Sequence, residues 1–236
     1  FGLAACAPLP TYVNERNGSA EALAARRILL APPELRVFEV SAGGVPEPVK
    51  AWSDQALPGV IRSLKQELAR SPGTQFIEPD GLDAADRATL DLHLAMFRRV
   101  ADQIAAVRDS HDPIWKERAG ELEFVLGSGM QPLAERTGAD AVLFVDGIDF
   151  ISSTGRRIVF VLSTILAGGI PVLPLGTAYM QAGLVDLRSG EVLWFGRDYR
   201  HARGDLREAE TAGALTAGVF RHYPGLTAVP VVPAGQ

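Results

Sequence analysis

Apolar positions in this chain follow two periods, and the alternation between them outlines the fold. Leu90, Leu94, Phe97, Ala101, Ile104 and Val107 recur every three or four residues, which predicts one long helix over residues 84–109 with a single apolar stripe, ended by Ser110-His-Asp-Pro113. Val60, Ile61, Leu64 and Leu68 predict a second helix over 52–70, which Pro58-Gly59 should start or kink. Residues 130–137 form a third, with Gly138 as its C-cap, and 206–222 a last one; residues 19–27 have room for one or two turns. The strand signals are shorter. Residues 28–33 read as a buried strand stopped by Pro32-Pro33, residues 35–40 alternate as a half-exposed strand does, and 75–78 is a short strand. Residues 42–48 carry the punctuation of a loop.

The segment from Ala139 to Phe195 organises the rest. Ala141 to Val145 has the β-branched, apolar content of a strand buried on both faces. Residues 182–195 are two strand-like runs separated by Arg188-Ser189-Gly190, with the glycine where a short hairpin needs positive φ. Val142, Phe144, Leu184, Leu187, Leu193 and Phe195 are expected in the sheet or its packing, with Trp194 on the opposite face from Phe195 and one of the two aromatics partly exposed or against a helix. Between these strands, Ile158 to Val185 holds no charged residue. Its first part, 158–175, is long enough for a membrane span, but Gly168-Gly169, Pro171 and Pro174 interrupt it. Internal burial, a subunit interface and membrane contact are the three readings, and Ile158, Phe160, Leu162, Ile165, Leu166 and Ile170 are the candidate interface residues. Helices and strands alternate in the first half and strands adjoin in the second, which points to an α/β fold with a mixed β-sheet flanked by helices.

With 236 residues, 47% of them hydrophobic and 22% charged, the chain can bury one good core, so a single domain is the default. A net charge of −5 removes the electrostatic basis for nucleic-acid binding. The lone cysteine excludes an internal disulfide, a Cys-x-x-Cys pair and a thiolate zinc cluster. Its position carries more information than its number. Leu3-Ala4-Ala5-Cys6 matches the bacterial lipobox, in which the cysteine is lipidated and becomes the mature amino terminus. Residues 1–5 then read as the remnant of a signal peptide, 6–18 as a flexible tether, 19–225 as the domain and 226–236 as a loose tail. Ala7 stands where an inner-membrane retention signal has Asp, so the expected address is the outer membrane, facing the periplasm.

Chemistry is harder to find. Asp146-Gly-Ile-Asp149 sets two carboxylates at the end of the central strand, where open α/β sheets bind ligands, but three residues apart on an extended chain they point to different faces. A hydrolase or metal enzyme using that pair is the alternative to a non-enzymatic role. His93, His111, His201 and His222 lack ligand spacing, no serine sits in a nucleophile elbow, and no catalytic residue, metal site or cofactor is assigned. Arg197, Arg200, His201 and Arg203 form a basic cluster after the hairpin that could receive an acidic partner, against the plainer reading of a solvated loop.

The lipobox, Ile28-Leu-Leu-Ala-Pro-Pro33, Ala42-Gly-Gly-Val-Pro-Glu-Pro48 followed by Trp52, Gly138-Ala-Asp-Ala-Val-Leu-Phe-Val145, residues 184–195 and Gly204-Asp-Leu-Arg207 together resemble a group of uncharacterised proteobacterial lipoproteins. More distantly, the buried strand followed by the Leu-Val-Asp-Leu hairpin is similar to the TolB amino-terminal domain, the curli secretion lipoprotein CsgG and the synthase activator LpoB. That resemblance implies a TolB amino-terminal-domain-like sheet and a role as a non-enzymatic accessory or scaffold subunit in an envelope assembly or transport complex. An oligomeric secretion-channel-type subunit is a further possibility it carries. Partners would be the membrane through lipidated Cys6, envelope proteins and further copies of the chain. The uncharged stretch lacks the alternation of pore-forming hairpins, which speaks against a CsgG-like channel.

Overall fold

The computed structural model describes residues 11–24, 26–71, 73–110, 112, 114, 122–166, 176–201, 205–224 and 226. Cys6, Ile170 and Arg203 lie outside them, and of Arg200 and His201 only the backbone is described. In chain order the elements are β1 (Thr11–Val13), α1 (Ala20–Ala24), β2 (Arg27–Leu30), β3 (Glu34–Val40), β4 (Pro46–Pro48), α2 (Lys50–Leu68), β5 (Gln75–Ile77), α3 (Ala84–Arg108), α4 (Gln131–Thr137), β6 (Ala141–Ser152), α5 (Thr154–Leu166), β7 (Gly176–Asp186), β8 (Val192–His201) and α6 (Ala209–Phe220).

Eight strands form one mixed sheet, six of them in the order β1-β8-β7-β6-β2-β5 with β3 also paired to β6 and β4 to β3, and helices flank it, as the sequence implies. β7, β8 and β1 run antiparallel to their neighbours, and β7 turns into β8 at the hairpin of Gly190, whose φ is +74°. β2 and β3 both run parallel to β6 along its other edge, β2 beside Ala141 to Leu143 and β3 beside Asp146 to Ser152. Pro32-Pro33 makes the step between them. Gly138 closes α4 in the left-handed conformation, φ +67°, and hands the chain to β6.

Because side chains alternate along a strand, β6 feeds two cores. Ala141, Leu143 and Val145 pack with Val60 and Leu64 of α2 and Leu215 and Phe220 of α6. Val142 and Phe144 pack with Leu94, Phe97 and Ile104 of α3 and Leu133 of α4. A capping box between Asp83 and Asp86 starts α3, and its apolar stripe falls where the spacing placed it. Trp194 joins Phe220 and Tyr223 on one face while Phe195 meets Phe97 on the other, so the two aromatics do point apart. Neither stays exposed; α6 covers Trp194 completely.

Several expectations need correction. The supposed loop 42–48 ends in β4, paired with β3. Pro58 lies inside α2 instead of starting it, and the last helix is shorter than 206–222. β1 pairs with β8, so the sheet reaches into residues 6–18, which the sequence assigns to a tether. Most important for function, β6 continues to Ser152, which leaves Asp146 and Asp149 inside a buried strand and not at a solvated end.

Candidate docking surface

Among the described helices, α5 is the one without a place in either core. Ser153 starts it: its Oγ accepts from the Arg156 N–H at 3.2 Å and its carbonyl from the Arg157 N–H at 3.0 Å. No residue of the helix is buried. Ile158 is 56% exposed, Leu162 56%, Ile165 68% and Leu166 88%, while Phe160 is half-buried on the side with Ser163 and Thr164. An apolar stripe on a helix normally faces something that covers it. Ile158, Val159, Val161, Leu162, Ile165 and Leu166 are therefore not buried in the chain's own core, and residues 167–175 of the same stretch lie outside the described residues. None of the described helices is long and apolar enough to cross a membrane.

A second apolar surface lies on the α3 side of the sheet. Register places Glu34, Asp146, Gln181 and Arg197 in one row across β3, β6, β7 and β8. The next row holds Arg36, Ile148, Tyr179 and Tyr199, and the one beyond Phe38, Phe150 and Thr177. In these outer rows Ile148, Tyr179, Phe38 and Phe150 are only half-buried and Tyr199 is 43% exposed. Phe38 and Phe150 stack with ring centroids 5.2 Å apart. On the opposite face the intervening residues Val37, Asp149, Ala178 and Asp198 are buried. One face of this half-sheet is covered and the other largely is not.

The polar row separates the closed core from that open region. Asp146 is fully buried and accepts from Arg98 Nε at 2.8 Å, Arg36 Nη2 at 3.1 Å and Gln181 Nε2 at 3.2 Å. Gln181 Oε1 in turn accepts from Arg197 Nη2 at 2.8 Å, and the same nitrogen reaches Asp102 of α3 at 3.2 Å. Arg98 also pairs with Glu34 at 2.7 Å. Each charge in the row has an opposite charge or a hydrogen bond beside it, which is the condition for tolerating a buried carboxylate. Arg197 is thus held in a strand by partners of its own chain, and not in a solvated loop.

Asp149 faces the other core. Its Oδ2 accepts from the Leu206 N–H at 2.7 Å, which ties β6 to the residues leading into α6. Burial pushes its carboxyl up to about 7, helped by the Asp205 carboxylate and opposed by the Leu206 N–H and the Arg207 guanidinium. Arg207 pairs with Asp205 at 2.7 Å and lies over the Trp52 ring, 4.4 Å from its centroid. With the sheet between them, the two aspartates converge on nothing. Among the described residues no group of three or more His, Cys, Asp or Glu could hold a metal ion. A small apolar cavity of about 140 Å³ lies between α2 and Leu30, Pro32 and Leu143, with the Lys65–Glu78 pair among its lining residues. The sequence reading missed the polar row, because its members are far apart in the chain; the one local signal was an aspartate in an otherwise apolar strand.

No family model matches the chain, and no curated protein matches it in sequence. Among solved structures it is similar to a PelC variant dodecamer from Paraburkholderia phytofirmans, at 12% identity and a TM-score of 0.35, over 86% of this chain and 89% of that one. It is similar to the LpoB C-terminal domain from Salmonella enterica, at 12% identity and a TM-score of 0.29, over 79% and 98%. Lipoprotein GNA1162 from Neisseria meningitidis follows at 15% identity and a TM-score of 0.28, over 75% and 80%.

Proposed function

We propose that this protein is an outer-membrane-anchored periplasmic lipoprotein that acts as a non-enzymatic accessory or scaffold subunit of an envelope assembly, with α5 as its docking element. The observation that carries the reading is α5 itself: a helix with no charged residue after Arg157 and no buried residue, held out on the surface between β6 and β7. Exposed apolar surface of this kind marks an interaction site. The carboxylates that would serve a hydrolase support it too, because Asp146 holds the polar row and Asp149 holds the Leu206 backbone. The lipobox at Cys6 supports the anchor. A single acyl chain binds a bilayer only marginally, so anchoring depends on the full lipid modification.

The test uses the complete precursor. Cys6→Ser should move the protein from the outer-membrane fraction to the soluble periplasm; persistence in the membrane fraction would place the anchor elsewhere. Crosslinking followed by affinity purification from envelopes should recover protein partners with the wild type and lose them with Leu162→Asp/Ile165→Asp. Recovery unchanged by that double variant would remove α5 from the docking role.

A further inference from the structure

Among the described residues one helix has its apolar side uncovered and one half-sheet has a face without a helix, and we infer that each supplies the other's need between two copies: α5 of one copy docks on the open rows around Tyr179 and Phe150 of the next. The inference rests on α5 being the docking element and adds what it docks on. A sheet face that carries apolar side chains must bury them against another element. Here α2 and α6 cover one face, whereas on the other the closed core ends at the polar row that α3 seals through Arg98. The rows beyond are left half-buried or exposed in the chain's own fold, with α5 attached.

Size and charge agree with the pairing. Thirteen residues of helix extend about 20 Å at 1.5 Å per residue, and the strands β3, β6, β7 and β8 span about 14 Å between outer axes at the usual spacing. From Ile158 to Leu166 the helix has no charge to desolvate, and the acceptor rows contain no carboxylate. Arg36, the cation at their inner edge, is already paired with Asp146. α5 also leaves directly from the end of β6 that carries Ile148 and Phe150, so it is rooted beside the rows it would cover in a partner. Donor and acceptor lying side by side on one chain is the arrangement from which a two-fold axis makes a closed, reciprocal contact. A lipid surface would meet α5 equally well but gives the aromatic rows no role.

The experiment uses the full chain with Cys6→Ser as background and two single-cysteine variants, Leu162→Cys and Tyr199→Cys. Both positions are exposed, so folding should be retained, as circular dichroism would confirm. Mild oxidation of the mixture should give a mixed disulfide dimer several-fold above either variant alone. Tyr199→Asp should raise the dimer dissociation constant at least tenfold by light scattering. Self-crosslinking of Leu162→Cys in excess of the mixed product would mean that α5 meets α5, which overturns the acceptor face while leaving α5 as a docking element. A chain that stays monomeric at high concentration overturns the inference as well, and flotation of that monomer with anionic phospholipid vesicles would assign α5 to lipid.

Discussion

Arg98 of α3 donates from Nε to Asp146 of β6 at 2.8 Å, and this contact closes the apolar core against the open half of the sheet. On one side of it Phe97 packs on Phe144, with centroids 5.8 Å apart; on the other side the aromatic rows begin. A buried carboxylate stripped of a partner destabilises strongly, so Arg98→Ala should cost about 3 kcal/mol, the lower end of the range for such sites because Arg36 remains. Asp146→Asn should cost less, since Arg98 keeps its pair with Glu34. Urea denaturation midpoints check both, and an unchanged midpoint for Arg98→Ala would show that α3 does not seal the row.

Gly183 sits directly beneath Phe97. A Cβ there would lie 2.1 Å from a ring carbon of that fully buried side chain, so the strand must come close without one. Gly183→Ala should therefore destabilise by about 1–3 kcal/mol through overpacking. Phe97→Leu in the same chain should recover part of that loss, giving a favourable coupling in a double-mutant cycle. Additive losses would mean that the two positions do not touch.

Asp149 gives a pH signature. Its carboxyl is moved from an ordinary 3.8 to about 7 in the folded chain, so between those values the folded state binds the proton and the unfolded state does not. Its contribution to stability is complete below about pH 4, declines as pH rises to about 7 and is level above. A displacement of that size is worth on the order of 4 kcal/mol at its limit. Asp149→Asn keeps an oxygen for the Leu206 N–H and removes the titration. The stability of the variant relative to wild type should rise between pH 5 and 7, measured by denaturation at each pH. A difference that does not change with pH would contradict the assignment.

The sequence was legible where one local pattern decided the structure. The stripe of α3, the cap at Gly138 and the turn at Gly190 each follow from a few adjacent residues, and each stands where expected. β6 was read short because Asp146, Gly147 and Asp149 look like a strand end. Only partners far along the chain, Arg98 and Gln181 for one aspartate and Leu206 for the other, make them tolerable inside. α5 was undecided for a different reason. An apolar stripe on a helix reads the same whether a core or a partner covers it, so its exposure became visible only once the rest of the chain had filled both cores without it.

That exposure is the basis of the functional reading, and a photoreactive residue in place of Leu162, in the lipidated protein within intact cells, tests it most directly. Illumination should give protein adducts at that position and none from the same residue placed at Lys50, which is exposed at the start of α2. A product of twice the chain's mass would agree with docking between copies, and a heavier mixed product with another envelope subunit. Leu162 adducts confined to lipid, or an unmodified chain under conditions where the crosslinker reacts elsewhere, would contradict the account.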